Sequence, residues 1–395
     1  MIFSHTNCDL QKEANNMEFK NLQLEDVIVL EDKKRKPLST MDRSKRKGIY
    51  PYYGAQEIID SIDDYIFDGK YILLAEDGEN LKSRKKDLVK IVEGKFWLNN
   101  HAHIFKVKEN VDLEYLYYYL LKLDLGEYIT GSTQPKLNQE NMNKIKIKLP
   151  ELKIQRKISK ILSNIDGKIK LNNEINNNLY EMSLNIFNDF LNNNDAELIK
   201  LEDCVEKINT GADAIQRAPI VDYDTGVRCI RIGDMTNSRN YHSWGFTKMN
   251  DKDYDNYKLI KNDIVITRTA VNGLTYMITD EERVVCNNGN IRLRVNNNYN
   301  PLYIYLNTKT KDFRYYIDRI NGETSVRPNM KVEYFTSYKI KKYSLEEQDK
   351  ICNVIKPLFN KINANKKENY NLEQLRDILL PKLMNGEINL DNIEI

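Results

Sequence analysis

The chain has 395 residues, of which 41% are hydrophobic and 30% charged, so it is long enough for two domains with hydrophobic cores. Its 60 basic and 58 acidic residues give a formal net charge of +2, which alone neither indicates nor excludes a nucleic-acid partner. No segment approaches the roughly 20 apolar residues of a transmembrane helix, and five cysteines without a CxxC pair predict free thiols in a reducing cytoplasm.

The first part of the chain reads as a lead-in followed by a globular domain. Residues 1–17 lack the basic start and apolar core of a signal peptide, and we predict that they are disordered. Residues 18–149 are predicted to form the first domain, of mixed α and β structure. Residues 71–74 and 103–107 are β-prone runs that end at turn residues, and residues 112–125 have the length and all-round apolar character of a buried helix.

Residues 150–194 are predicted to form a long helix with a coiled-coil seam. Apolar residues recur there in alternating steps of four and three, which is heptad spacing, at positions 154, 158, 161, 165, 175, 179, 182 and 186. Lys168 and Asn172 occupy the two seam positions between these runs. Polar residues in a seam cost stability but specify the register of the paired helices.

The second half of the chain repeats the first. With Gln155 aligned on Gln348, residues 195–343 are predicted to form a second globular domain, and residues 344–395 a second long helix with a short tail. Small insertions in the second copy account for a drift of the alignment offset along the chain. The two halves differ most in the segments between the matched positions. This pattern suits two domains that share a fold and have different specificities.

The second helix has the same seam with the same polar interruption. Its apolar positions are 351, 354, 358, 372, 375 and 379. Lys361 and Asn365 fill the gap, and Pro357 is expected to kink or split the helix. Two such helices in one chain are expected to pair, and they run antiparallel if a twofold axis relates the halves.

The sequence thus predicts an α+β fold, in which two globular mixed α/β domains alternate with two long helices that form an antiparallel coiled coil. The internal repeat predicts an approximate twofold relation between the halves. The positions expected to form the seam and to dock partners are Ile158, Ile165, Lys168, Asn172, Leu179, Ile351, Leu358, Lys361, Asn365 and Leu372.

Sequence motifs of catalysis are missing. The sequence contains no GxxxxGK[ST] loop, no GxGxxG after a strand and no HExxH, so we predict neither a catalytic site nor a cofactor in this chain. His101 and His103 are spaced as two metal ligands could be, but a packed or exposed pair is the favoured interpretation, because no cysteine or carboxylate cluster lies nearby in the sequence. The absence of these sequence motifs therefore favours a recognition or scaffolding protein.

The starts of the two helices resemble those of a known family. The segments 149–155 (LPELKIQ), 344–348 (SLEEQ) and 375–388 (LRDILLPKLMNGEI) are similar to segments of specificity (S) subunits of type I restriction–modification systems. The first segment departs from that pattern, since Lys153 and Ile154 stand where the family commonly has two acids. The resemblance extends over nearly the whole chain from about residue 18.

The resemblance implies a non-catalytic subunit that recognises double-stranded DNA. Each of two target recognition domains would bind half of a bipartite site, and the helices would set the spacing and dock two methyltransferase (M) subunits. Two restriction (R) subunits would join where the system has them. S-adenosylmethionine, ATP and Mg²⁺ are expected in these partners and not in this chain.

Two pairs of loops at equivalent places in the repeat carry the predicted DNA contacts. Residues 131–138 align with residues 322–329, and residues 80–86 and 267–272 each follow a predicted strand. Gln, Asn and Arg can form paired hydrogen bonds with base edges, whereas Lys binds phosphate. The alternative is that the glycines that open the first pair mark structural turns. The candidates are Thr133, Gln134, Lys136, Asn138, Lys82, Arg84, Lys85, Arg268, Asn272, Thr324, Ser325, Arg327 and Asn329.

Basic runs at 33–36, 43–47 and 82–86 lie together in the first domain and favour a phosphate-facing surface, with solvated loops as the alternative. A competing hypothesis for the whole chain is a protein-interaction scaffold that is built on a coiled coil and does not read DNA. A third, a fused restriction–methylation enzyme, is opposed by the missing catalytic motifs. Salt-dependent, sequence-selective DNA binding separates the first two functions.

Overall fold

The computed structural model describes residues 17–55, 57–84, 86–131, 133–279, 283–323 and 329–390. It divides into two compact units. The first unit comprises residues 1–168 and 372–395, and the second comprises residues 169–371. None of the helices in the described ranges is both long enough and apolar enough to span a membrane.

The first unit contains a twisted sheet covered by short helices. Its strands are β1 (Lys20–Gln23), β2 (Ile28–Leu30), β3 (Lys47–Tyr53), β4 (Ile58–Ile62), β5 (Phe67–Ala75), β6 (Val89–Leu98), β7 (Ala102–Val107) and β8 (Lys146–Leu149). Its short helices are α1 (Leu24–Val27), α2 (Thr40–Lys45), α3 (Asn80–Ser83), α4 (Leu113–Lys122) and α5 (Gln139–Asn143). The strand order is β2-β7-β5-β6-β3-β4, with β3 and β6 parallel, while β1 and β8 form a separate antiparallel pair.

The predicted buried helix of the first domain is α4. Asp112 caps its N-terminus by accepting a hydrogen bond from the Tyr115 N–H. Tyr115 and Leu116 are fully buried in a core that also contains Ile158 and Leu380 of the two long helices. The globular domain and the helical segments therefore share one hydrophobic core within this unit.

The long helix α6 (Leu152–Asn193) leads into the second unit. The strands that follow are β9 (Leu198–Lys200), β10 (Val205–Thr210), β11 (Ile220–Val221), β12 (Arg228–Ile230), β13 (Phe246–Thr247), β14 (Lys258–Leu259), β15 (Ile264–Thr267), β16 (Thr275–Met277), β17 (Val284–Cys286), β18 (Asn290–Val295) and β19 (Lys339–Lys341). The helices are α7 (Ile232–Thr236), α8 (Asp251–Tyr257), α9 (Pro301–Asn307), α10 (Lys311–Glu323), α11 (Val332–Thr336) and the second long helix α12 (Leu345–Met384).

The second unit repeats the topology of the first with its sheet divided in two. One sheet has the order β10-β18-β15-β16 and the other β11-β13-β12-β17-β14, in which β12 and β17 are parallel. The β9–β19 pair corresponds to β1–β8. These correspondences confirm the predicted α+β class and the internal repeat.

The Gln residues that anchor the sequence repeat dock each long helix onto its own globular domain. The Gln155 side chain accepts a hydrogen bond from the Asp112 N–H at 2.8 Å and donates one to the Pro150 carbonyl at 2.8 Å. Gln348 does the same with the Asn300 N–H at 2.9 Å and the Tyr343 carbonyl at 2.8 Å. Asp112 and Asn300 both cap helices, α4 and α9, so the two docking sites are built identically.

A layer of asparagines joins α6 and α12 within the second unit. Asn172 Nδ2 lies 2.8 Å from Asn369 Oδ1, and Asn365 Nδ2 lies 2.9 Å from Asn176 Oδ1. All four side chains are buried. The partner numbers fall on one helix as they rise on the other, so the helices pair antiparallel, as predicted.

Much of the predicted seam is buried, but part of it is wrong. Buried positions are Ile158, Ile165, Asn172, Ile351 and Asn365. Half-buried positions are Leu179, Leu358 and Leu372. Lys168 and Lys361 are exposed, so their assignment to the seam is corrected. Helix α12 also extends through Pro357 without the predicted split, although Pro357 has no N–H to donate to the preceding turn.

The error has a physical reason. At several seam positions two neighbouring residues compete for the buried side, and the sequence prediction took the one that is less buried. In α6 the buried residues are Asn176 and Ser183, whereas Met182 is 51% exposed. In α12 Ile355 is buried and its neighbour Val354 is 58% exposed. The inner stripe is therefore partly polar, and an apolar stripe faces outward.

Candidate nucleic-acid interface

Three segments of the first unit meet at one edge of its sheet. The Glu76 N–H, directly after β5, donates to the His101 carbonyl at 3.0 Å. The Leu137 N–H donates to the Glu76 carbonyl at 2.8 Å, and the Asn99 N–H donates to the Tyr53 carbonyl at 3.1 Å. We call residues 76–84, 99–101, 130–131 and 133–138 the first loop cluster. Backbone hydrogen bonds thus bring together the two loops that the sequence predicted separately.

The same frame is built again in the second unit. The Arg268 N–H, directly after β15, donates to the Gly289 carbonyl at 2.9 Å. The Met330 N–H donates to the Arg268 carbonyl at 2.8 Å, and the Asn287 N–H donates to the Ile230 carbonyl at 3.4 Å. Residues 267–273, 287–290 and 329–330 form the second loop cluster.

The matched hydrogen bonds correct the predicted alignment of the loops. Leu137 and Met330 make the same bond, and the isolated bridges Asp77–Lys136 and Thr269–Asn329 also correspond. The offset here is therefore 193, as in the helices, and not 191. The sequence alignment was displaced by two residues because it matched Gly131 with Gly322, Thr133 with Thr324 and Asn138 with Asn329.

Gly131 is a structural turn, as the alternative interpretation proposed. Its φ of 84° lies in the region that favours glycine, and a Cβ there would come within 2.3 Å of the Gln134 carbonyl oxygen. Gly322 differs, since it lies near the end of helix α10. The two glycines are not equivalent landmarks.

The tip of the first loop presents free hydrogen-bonding side chains. Thr133 and Gln134 are exposed, and neither side chain has a hydrogen-bond partner in the described ranges. The Lys136 ammonium is half-exposed and lies 3.3 Å from the Glu76 carboxylate. Asn138 instead caps α5, because its Oδ1 accepts a hydrogen bond from the Asn141 N–H at 2.8 Å.

Among the remaining DNA-contact candidates, Lys82 and Asn329 are exposed. Arg84 and Asn272 instead hydrogen-bond within the fold. Arg84 closes α3 with φ 45°, and its guanidinium donates to the Leu123 carbonyl at 2.7 Å. Asn272 is only 2% exposed and donates to Asn321 Oδ1 at 2.8 Å, so its assignment as a DNA contact is corrected. Lys85, Thr324, Ser325 and Arg327 lie outside the described residues.

A largely buried cluster of charged residues contacts the first loop cluster through Glu76. Arg35 Nη1 lies 2.7 Å from Glu76 Oε2, and Arg35 Nη2 lies 3.2 Å from Asp32 Oδ2. His103 is 1% exposed and lies 2.5 Å from Asp32 through Nδ1. Burial alone would raise the pKa of Glu76, but hydrogen bonding to Arg35 and the charge of His103 lower it overall.

This cluster tests the prediction for the two histidines. His101 is half-exposed beside Asp77, at 2.9 Å, whereas His103 is buried, so they do not face one centre. The ligand atoms of Asp32, Glu76 and His103 lie within 4.8 Å of one another, as metal ligands could. Arg35 already bonds both carboxylates and supplies the positive charge there, so the group is an ion-pair network.

The basic run at 43–47 is paired within the fold. Arg43 lies 3.3 Å from Asp60 and stacks over Tyr52. Arg46 lies 2.9 Å from a carboxylate oxygen of Asp63 and stacks over the ring of Trp97. These contacts hold α2 and the residue that ends it against the β3–β4 hairpin, which sequence reasoning missed because the carboxylates follow 17 residues later.

Comparison with known proteins agrees with this architecture. A family model described as the type I restriction modification DNA specificity domain matches residues 16–181 and 193–374. A putative type I restriction enzyme specificity subunit of Haemophilus influenzae is 34% identical over 150 residues, which are 38% of this chain and 37% of that protein. The MjaIX specificity subunit of Methanocaldococcus jannaschii is 24% identical over 320 residues, 72% of this chain and 71% of that protein.

A solved structure shows the same fold. The type I restriction–modification S subunit from M. genitalium superimposes with a TM-score of 0.62 at 16% identity, covering 95% of this chain and 98% of that one. The two stretches matched by the family model include most of both units and of both long helices. The chain therefore belongs to the family of type I restriction–modification specificity subunits.

Proposed function

We propose that this chain is the DNA-recognition subunit of a type I restriction–modification complex and reads a bipartite double-stranded target, one half with each loop cluster. The observation that carries the proposal is the loop frame that is built twice with the same backbone hydrogen bonds and different side chains. A constant frame with variable side chains suits two sites of the same kind with different sequence preferences.

The side chains at the corresponding positions differ in charge and hydrogen-bonding capacity. Lys136 corresponds to Asn329, and Asp77 corresponds to Thr269. Amide side chains pair with adenine edges, whereas lysine holds phosphate or a guanine acceptor. We therefore assign Thr133, Gln134 and Lys136 to the first half-site and Asn329 to the second.

We also propose that the outward faces of the long helices dock methyltransferase subunits. Large apolar side chains on these faces are about half exposed: Leu171, Met182, Val354, Leu375 and Ile378. Exposed apolar residues repeated along a helix are typical of a surface that a partner covers. In this proposal the partners supply S-adenosylmethionine-dependent methyl transfer, and restriction subunits, where present, supply ATP- and Mg²⁺-dependent cleavage.

The test is selection of DNA by the assembled complex. The chain would be co-purified with the methyltransferase subunit of its own system and mixed with randomised duplexes at several salt concentrations. We expect enrichment of two short motifs with a fixed gap, and an affinity that falls as salt rises. Co-purification without any sequence preference would instead establish the protein-interaction scaffold.

A further inference from the structure

The loop between β10 and β11 carries an isoleucine that is almost fully exposed to solvent. Ile215 is 84% exposed, which is the highest value among the large apolar side chains of the described residues. Single apolar residues are common on protein surfaces, so exposure alone assigns no role to this side chain. The hydrogen bonds that hold the loop, and the place where it lies, are what distinguish Ile215.

Hydrogen bonds at the base of the loop fix the position of Ile215. The Asp213 carboxylate accepts from the Ile215 N–H at 2.9 Å and from the Gln216 N–H at 2.8 Å. The Ala218 N–H donates to the Asp213 carbonyl at 2.7 Å, and both Ala212 and Ala218 are fully buried. A turn with buried ends presents its apolar side chain in one place, so little conformational entropy would be lost when a ligand covers it.

This loop adjoins the second loop cluster. The Asn288 N–H donates to the Ala212 carbonyl at 2.7 Å, and Asn288 Nδ2 lies 3.4 Å from Asp213 Oδ2. Ala212 also forms an isolated parallel bridge with Asn287. We call residues 211–218 the third arm of the second loop cluster, because backbone hydrogen bonds join it to the two loops already described.

The strand order sets the distance between the third arm and the predicted base-reading position. Strands β10, β18 and β15 are consecutive neighbours in one sheet. Neighbouring strands lie ~4.8 Å apart, so the arm after β10 is about 10 Å from the loop after β15. That loop bridges Asn329 through Thr269. Since base pairs repeat at ~3.4 Å, the cluster spans about three base pairs, which suits one short half-site.

The corresponding arm of the first unit is basic. The run at 33–36 follows β2 as the third arm follows β10, because Leu30 and Ile208 hold the same register against β7 and β18. Lys33 and Lys36 are exposed and have no ion-pair partner among the described residues. Lysine at this place would bind phosphate, whereas isoleucine cannot. The two arms therefore suit different parts of a DNA duplex.

An exposed cation beside Ile215 fits a nucleic acid better than an apolar protein surface. The Arg217 guanidinium donates to the Tyr257 hydroxyl and lies 5.7 Å from the centroid of that ring. No carboxylate lies within ion-pair distance of Arg217 in the part of the chain that the structure describes. A phosphate at the edge of a groove would supply the opposite charge while Ile215 reaches the bases.

We propose that Ile215 packs against the C5-methyl group of a thymine in the major groove and is a specificity-determining residue for the second half-site. The proposal rests on the proposed function. Thymine is the base that presents a methyl group in the major groove, and apolar side chains contact it there. The amide of Asn329, in the same cluster, suits the N6 and N7 atoms of adenine. Both residues therefore favour a half-site that contains A·T pairs.

The experiment replaces thymine by deoxyuridine, which differs only by the missing methyl group. Selection with the assembled complex first defines the second half-site. Each thymine in it, on either strand, is then replaced in turn, and the Kd is measured by titration. One replacement should weaken binding by the wild-type complex about fourfold, which corresponds to the burial of one methyl group. Replacements in the first half-site should show no dependence on Ile215.

Two substitutions of the same kind assign the effect to one side chain. In the Ile215→Ala complex, the thymine and deoxyuridine duplexes should bind equally well, because the side chain no longer reaches the methyl group. Ile49→Ala removes an equally exposed isoleucine of the first unit, at 83% exposure, and should retain the fourfold difference. Both side chains are exposed, so both variants are expected to fold, and thermal unfolding checks this.

The outcomes distinguish this proposal from the proposed function. Sequence-selective binding in which no thymine of the second half-site is sensitive to loss of its methyl group would overturn the proposal and leave the recognition function standing. The same holds for a half-site without A·T pairs, or for Ile215→Ala that weakens binding equally on both duplexes. Reduced co-purification of the methyltransferase subunit with unchanged deoxyuridine sensitivity would place a protein on Ile215 and also overturn it. Absence of any sequence preference in the wild-type complex would instead reject the recognition function.

Discussion

Gln134 and Asn329 are exposed amide side chains in the two loop clusters. Gln134→Ala should weaken base discrimination in the first half-site alone, and Asn329→Ala in the second alone, because in the proposed function each amide would bond one base edge. The expected loss is about 1–3 kcal/mol at one base position. Methylation mapping with each variant complex checks this, and each variant is the control for the other. An altered second half-site in Gln134→Ala would refute the assignment.

Lys309 provides a test that does not involve DNA. Burial, together with the nearby charge of Lys366, lowers the pKa of Lys309 to about 7. A lowered lysine pKa destabilises the fold while the residue is charged, and the penalty is relieved as the pH rises from about 7 toward its ordinary value of 10.5. Lys309→Met should therefore be the more stable chain near neutral pH.

Thermal unfolding at several pH values measures this difference. The advantage of Lys309→Met over the wild type should shrink as the pH rises. Lys311→Met changes the same residue type at an exposed position nearby and should show no such trend. An advantage that grew with pH would contradict the assigned direction.

For single residues, the sequence shows which side chains can form hydrogen bonds but not which of them stay exposed in the fold. Thr133 and Gln134 have no side-chain hydrogen-bond partner among the described residues, but Asn272 is buried and Asn138 caps a helix. All four can donate and accept hydrogen bonds, and only the tertiary partners of each group decide which remain available for a ligand. Similarly, Arg35 sits in a basic run that looks solvated, because its carboxylate partner Glu76 lies 41 residues away.

Gln155 tests the junction between a helix and its domain. Gln155→Ala removes the partners of a part-buried backbone group, the Asp112 N–H, and of a buried one, the Pro150 carbonyl. Leaving such groups unpaired should lower the free energy of unfolding by about 1–3 kcal/mol. Gln374→Ala, on the exposed side of α12, should change it little. Chemical denaturation compares the two, and equal effects would contradict the docking role.

The outward apolar face makes a separate prediction. Val354→Glu should leave the unfolding temperature of the chain nearly unchanged, because this side chain is 58% exposed. It should nevertheless weaken co-purification of the methyltransferase subunit, since a charge would be buried under the partner. Asn353→Glu adds the same charge at the adjoining exposed residue and should be tolerated better. Full partner binding by Val354→Glu would place the docking surface elsewhere.

The sequence repeat predicted that two long helices exist, how long they are and that they pair antiparallel, because a heptad pattern of about forty residues is a strong signal. It did not predict which of two neighbouring apolar residues faces inward. Ile161 is followed by Leu162, and Val354 is followed by Ile355, so either member satisfies the pattern. The packing of the partner helix decides which of the two is buried. The pattern did not indicate the buried face because two of its residues, Asn176 and Ser183, are polar.

For the molecule as a whole, the spacing of the half-sites should follow the helices. The boundaries between the two units fall after Lys168 in α6 and after Asn371 in α12. One heptad inserted at each boundary lengthens both helices and leaves the asparagine layer within the second unit intact. Seven residues add about 10 Å at ~1.5 Å each, or about three base pairs of B-form DNA.

We expect the double-insertion variant to recognise both original half-sites across a gap that is longer by about this amount. Methylation mapping of the assembled complex measures the gap directly. A single insertion in α6 alone is the control, because it lengthens only one of the two paired helices and should impair assembly. An active double-insertion variant with an unchanged gap would show that the helices do not set the spacing.

Asn172 and Asn365 hold one position of the repeat, and Asn176 and Asn369 hold another, and the bonds Asn172–Asn369 and Asn365–Asn176 each join one residue of each kind. A chain of half this length would already encode both kinds. Two identical copies meeting antiparallel would complete the layer without any new residue. An ancestral homodimer could thus have become a single gene by tandem fusion, with its heads free to diverge afterwards while the joint between them stayed the same.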